Sequence, residues 1–118
     1  MVIKFKKIIN YYLMIKIFCY GTLQNPSVQL ELIGRQVSGV VDSIDGFVVT
    51  RDYVDESDGI AYPRLRNNPI GCVYGHILEF TPEEVAVLDE YETSMYRRVN
   101  MTTNGGELAQ VYFPTVLS

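Results

Sequence analysis

Glu92 stands in the most chemically telling surroundings of the chain. Val85, Leu88 and Glu92 recur at i, i+3 and i+7, with Tyr91 flanking, so on a helix they share one face. Glu92 then points where the apolar stripe points, toward the interior. A carboxylate there is disfavoured unless paired, and burial raises its pKa toward neutrality. Its place in the last helical turn adds to this, because the negative end of the helix dipole opposes ionisation. A carboxyl group tuned in this way suits general acid–base work near pH 7. The alternative is an exposed last-turn glutamate paired with Arg97 or Arg98.

A second feature is Tyr20-Gly21-Thr22-Leu23, the sharp exit from an apolar run. Glycine permits a turn that aims successive N–H groups at one point, an anion nest able to hold a carboxylate or a developing oxyanion. The plainer alternative is a strand that ends in a turn. Other reactive side chains are few. His76 is the only histidine, and Cys19 and Cys72 lie far apart, so a structural zinc site cannot be assembled and a disulfide framework is not expected. Cysteine usage of this kind fits a reducing cytoplasm. His76 alternates with Tyr74 and Leu78 and reads as a hydrogen-bonded structural histidine. No neighbour argues for activation of Cys19.

The rest of the chain must position these groups. It has 118 residues, enough for one domain whose core needs no metal or disulfide. With 47% hydrophobic and 20% charged residues it is globular rather than disordered. A net charge of −4 argues against binding a phosphate backbone. Met1–Leu13 differs in composition, with Lys4, Lys6 and Lys7, and Phe5, Ile8, Ile9 and Tyr12 fall at helical spacing. It is too short to span a bilayer and lacks a cleavage site. It reads as a peripheral appendage, with Met14 as an alternative start, ahead of a single domain over Met14–Ser118. A partner-binding or membrane-surface helix is the other reading.

Ile15–Tyr20 is a short buried strand. Asn25-Pro26 caps a helix to about Ile33, closed by Gly34. Val37–Arg51 reads as two strands broken at Asp45-Gly46, and Asp52–Gly59 as a solvated acidic loop. Cys72–Phe80 is a strand whose Gly75 indicates a bulge or a close backbone approach, with room for a substrate as a further possibility. Thr81-Pro82-Glu83-Glu84 is a capping box opening a helix that ends near Thr93. Tyr96–Thr103 and Glu107–Pro114 form a hairpin through Asn104-Gly105-Gly106. About six strands, mostly adjacent in sequence, with two or three helices, favour an α+β fold with a curled, partly closed sheet.

These residues carry a resemblance. Phe18-Cys19-Tyr20-Gly21-Thr22-Leu23 is similar to the Tyr-Gly-Ser/Thr-Leu signature of the γ-glutamylcyclotransferase-like family, which includes γ-glutamylamine cyclotransferases. Leu88-Asp89-Glu90-Tyr91-Glu92 followed by Tyr96-Arg97-Arg98 resembles its second signature. Tyr62-Pro63 with Leu65, Val73-Tyr74-Gly75, and Ala109 to Tyr112 occur in family order. The resemblance implies a small mixed β-barrel flanked by helices and an enzyme that needs no cofactor or metal. Glu92 takes the catalytic glutamate's position, and Tyr20, Gly21, Thr22 and Leu23 line the substrate loop.

The implied reaction is intramolecular aminolysis. The α-amine of a γ-glutamyl amide attacks its own γ-carbonyl, yielding 5-oxoproline and a free amine or amino acid. The expected partner is thus a small γ-glutamyl substrate, with no nucleic acid and no membrane span. One departure stands out: many members have glycine directly after the glutamate, where this chain has Thr93. That bears on the shape of the pocket and the end of the helix. A rival reading keeps the barrel as a non-catalytic binder of small carboxylates. Tyr96 and Arg98 would anchor the helix–strand junction or touch substrate, while Arg64 and Arg66 would attract an anion or lie on a solvated strand edge.

Overall fold

The apolar run Ile15–Cys19 becomes the central strand of the sheet. In a computed structural model, which describes residues 13–51, 54 and 58–115, the elements follow in order. They are β1 (Ile15–Cys19), a 3₁₀ turn (Thr22–Gln24), α1 (Pro26–Ile33), β2 (Val40–Thr50), β3 (Arg64–Phe80), α2 (Pro82–Glu92), a second 3₁₀ turn (Thr93–Met95), β4 (Tyr96–Thr102) and β5 (Leu108–Pro114). The sheet runs β2-β3-β1-β5-β4, with β1 antiparallel to β3 and parallel to β5. The basic run read as a peripheral appendage, Leu13 apart, and most of the acidic loop lie outside the described residues. Among the described residues no helix is long and apolar enough to cross a membrane.

Both helices begin and end where local chemistry dictates. Asn25 Oδ1 accepts from the Ser27 N–H, Pro26 occupies the first turn, and Gly34 closes α1 in the left-handed region. Thr81 and Glu84 form the reciprocal capping box of α2. Arg35, just past α1, grips the Glu84 carboxylate at 2.6 and 2.7 Å and so ties the two helices together.

The sheet has five strands rather than six, because Val37–Arg51 holds one long strand. Asp45-Gly46 bends it instead of turning it. Asp45 pairs with Cys72 and Phe47 with Asn67, so residues 68–71 of β3 face Gly46 alone, at φ 89°. The bend curls the sheet. Phe47 at the far end of β2 meets Phe113 of β5 edge to face, with ring centroids 5.0 Å apart. The turn between β4 and β5 is stitched to β2. Asn104 N donates to Ser43 O at 2.8 Å, Gly105 N to Asp42 Oδ1 at 2.9 Å, and the Thr103 hydroxyl donates to the other Asp42 oxygen.

Two apolar layers result. Ile17, Cys19, Leu23, Leu78 and Phe80 pack beneath Val85 and Leu88 of α2. Phe18, Ile44, Val73, Ile77, Val111 and Phe113 fill the inside of the curl. Gly75 belongs to this second layer. A Cβ there would lie 2.3 Å from the Cys19 carbonyl oxygen and 2.9 Å from the Phe18 ring. Of the readings for this glycine, close approach of β1 is the one realised: the β2–β3 ladder runs through it without a register shift.

Candidate active site

The end of β1, the start of β4 and the C-terminal turn of α2 converge on a cavity of about 280 Å³. Its wall includes Tyr20, Gly21, Thr22 and Leu23 on one side and Tyr91, Glu92 and Thr93 on the other. The two sequence features that were read separately therefore share one space. Val85 and Leu88 are buried on the face that carries Glu92, as the spacing predicts.

Glu92 is partly buried, and no hydrogen bond or ion pair reaches its carboxyl group from the described residues. The Arg98 pairing weighed above goes instead to Asp89, at 2.9 and 3.1 Å, with a further bond to Gln110 at 2.6 Å. Tyr112 donates to the same Asp89 oxygen at 2.7 Å. Burial, and secondarily the Asp89 carboxylate one turn earlier on α2, push the Glu92 pKa up to about 7. Arg98 is thus the anchor of the helix–strand junction.

Five tyrosines line the cavity, and the hydroxyls of four of them tie one piece of wall to another. Tyr20 donates to the Tyr112 carbonyl at 2.7 Å, Tyr96 to the Pro63 carbonyl at 3.2 Å, and Tyr62 to Asp58. Tyr91 and Thr22 share a hydroxyl–hydroxyl bond of 2.8 Å between α2 and the turn after β1. Burial raises the pKa of Tyr20 well above the ordinary tyrosine range, so its hydroxyl stays a donor. The Cys19 thiol is likewise pushed up by burial and is no nucleophile.

Tyr91, Met95, Tyr112 and Asp58 join the wall without having been picked out as binding residues, and Tyr96, weighed as a substrate contact or a junction anchor, lines it too. Asp58 lay within a run of acids with nothing to separate it from solvated neighbours. Arg64, Arg66, Gly75 and His76 do not line the cavity. His76 is hydrogen-bonded to Gln24 at 2.6 Å, in keeping with a structural histidine.

Thr93 is the one described non-glycine residue with positive φ, at 64° with ψ −174°. Only glycine occupies that region without strain. Thr93→Gly should raise stability by about 1 kcal/mol, as relief of roughly 1–3 kcal/mol of strain outweighs the greater freedom of glycine in the unfolded chain. Thermal unfolding followed by circular dichroism should show a midpoint higher by about 4 °C. A lower midpoint would contradict the strain argument.

A curled five-stranded sheet with this helix–turn cavity defines a class of small half-barrels. The fold matches a solved γ-glutamyl cyclotransferase at a TM-score of 0.66 and 17% identity, covering 89% of this chain and 69% of that one. It also matches the solution structure of a protein from Arabidopsis thaliana at 0.73 and 23% identity, covering 90% and 72%. Residues 17–116 match the family described as γ-glutamyl cyclotransferase, AIG2-like, and the chain belongs to that family. It is 33% identical over 99 residues to AIG2-like protein C of Arabidopsis thaliana, covering 80% of this chain and 55% of the length of that relative.

Proposed function

We propose that this protein releases 5-oxoproline from γ-glutamyl amides by intramolecular aminolysis, with Glu92 as the proton carrier. The observation that supports this best is an unpaired carboxyl group with a pKa of about 7, facing the same cavity as the turn after β1. The substrate's α-ammonium must lose a proton before its nitrogen can attack. Glu92, ionised above pH 7, accepts that proton. The nitrogen then closes on the γ-carbonyl and sheds a second proton as the C–N bond to the leaving amine breaks. Glu92 passes both protons to that amine, which departs as an ammonium ion. Nucleophile and electrophile belong to one molecule, so the site's task is to fold the glutamyl group and exclude water. The tyrosine-braced wall and Leu23, Pro63 and Met95 suit it to that task.

The test is a panel of γ-glutamyl amino acids and γ-glutamyl amines assayed for 5-oxoproline. Product from at least one member is expected, with kcat/KM rising with pH through about 7 as Glu92 ionises. No product across the panel, with 5-oxoproline still binding, would instead make the barrel a carboxylate binder.

A further inference from the structure

Among the described residues no lysine, arginine or histidine lines the cavity, and both of its carboxyl groups, Glu92 and Asp58, are acidic. The Arg64 charge reaches Tyr20 from outside the wall. Within the cavity, the fixed negative charge of a γ-glutamyl substrate, its α-carboxylate, is then met by neutral donors. The 3₁₀ turn supplies them. The N–H groups of Thr22 and Leu23 open that turn and have no partner within it.

Their direction is set by what holds the preceding carbonyls. The Gly21 carbonyl accepts from the Gln24 backbone N–H at 3.2 Å and from Gln24 Nε2 at 3.2 Å. The Thr22 carbonyl accepts from Asn25 N at 3.0 Å. In a trans peptide the N–H points opposite to the C=O, so the Thr22 and Leu23 N–H groups face away from these bonds. Behind Gln24 stands His76. The Gly21 oxygen can only accept, so the amide nitrogen of Gln24 faces it and Oε1 faces the imidazole. His76 Nδ1 therefore carries a hydrogen and donates it to Oε1 at 2.6 Å.

We propose that His76 is a positioning residue for carboxylate binding. Through Gln24 it locks the Gly21–Thr22 peptide so that the Thr22 N–H is presented to the substrate's α-carboxylate. The inference rests on the cyclotransferase reading, but neither His76 nor Gln24 touches the cavity.

Steady-state release of 5-oxoproline by wild type, His76→Phe, His76→Asn, Gln24→Ala and the double variant His76→Phe/Gln24→Ala tests it. Loss of one positioning hydrogen bond should raise KM three- to tenfold in His76→Phe, with kcat and the pH midpoint nearly unchanged. His76→Asn, whose amide can donate from the Nδ1 position, should recover most of the loss. The double variant should be no worse than Gln24→Ala alone, since the two residues act in series. Should His76→Phe fail to fold, Gln24→Ala carries the same expectation. Turnover in wild type with KM unchanged in His76→Phe and Gln24→Ala, or additive effects in the double variant, overturns this inference alone. A wild type that turns over no γ-glutamyl amide overturns the functional reading and this one with it.

Discussion

Glu92→Gln should release 5-oxoproline roughly 10³-fold more slowly than wild type, within the range that a positioned acid–base group contributes, and yet melt at a higher temperature at pH 8. The second half follows from the sign of the pKa shift. The folded-state value is about 7, above the ordinary glutamate value. Ionisation is therefore easier in the unfolded chain, and this group favours the fold most fully below its unfolded pKa of about 4.3. That contribution is lost as pH rises through about 7, amounting to about 3 kcal/mol at alkaline pH. Glutamine is close to isosteric with the protonated acid and never ionises. Thermal midpoints of the two proteins should coincide near pH 4 and diverge by about 10 °C at pH 8. Equal midpoints across that range would mean that Glu92 is solvated, and undiminished turnover would remove it from the reaction.

The largest loss of stability is expected from Gly75→Ala. The added carbon would sit 2.3 Å from the Cys19 carbonyl oxygen, backbone that cannot move without parting β1 from β3. Overpacking of this kind costs about 3 kcal/mol, or roughly 10 °C in thermal midpoint for a domain of this size. Activity should fall further than stability explains, because the strand that is pushed leads directly into the turn at Tyr20–Leu23. A displacement of about 1 Å at a reacting group can cost on the order of 10²-fold. Circular dichroism melts together with 5-oxoproline assays well below the midpoint separate the two effects. A midpoint within a degree or two of wild type would show that β1 has room to yield.

Much of the scaffold was legible in the amino-acid order because its signals are local. Asn25-Pro26 and Thr81-Pro82-Glu83-Glu84 start their helices with side chains three residues away or fewer, and Gly34 stops one. Glu92 was legible for the same reason, since helical spacing from Val85 and Leu88 fixes its face. Long-range pairing was not. Asp45-Gly46 has the composition of a hairpin turn, and only the partner strand, with its extra residues 68–71, makes it a bend inside one strand. The cavity wall is the same kind of case: Tyr20, Asp58 and Tyr112 come from three separate parts of the chain. Thr93 was visible as a departure from the family pattern, but its left-handed backbone was not, because a β-branched residue disfavours that conformation.

The parallel pairing of β1 with β5 has a consequence for how the molecule is made. Ile15–Cys19 is synthesised well before its neighbour on one side, Leu108–Pro114, which follows every other described strand. Until then the central strand offers a bare apolar edge, the kind of surface on which nascent chains aggregate. Contacts so distant in sequence also make folding slow relative to helical proteins of equal size. Tyr112 rides on that strand, so the cavity wall is complete only once Leu108–Pro114 has joined the sheet.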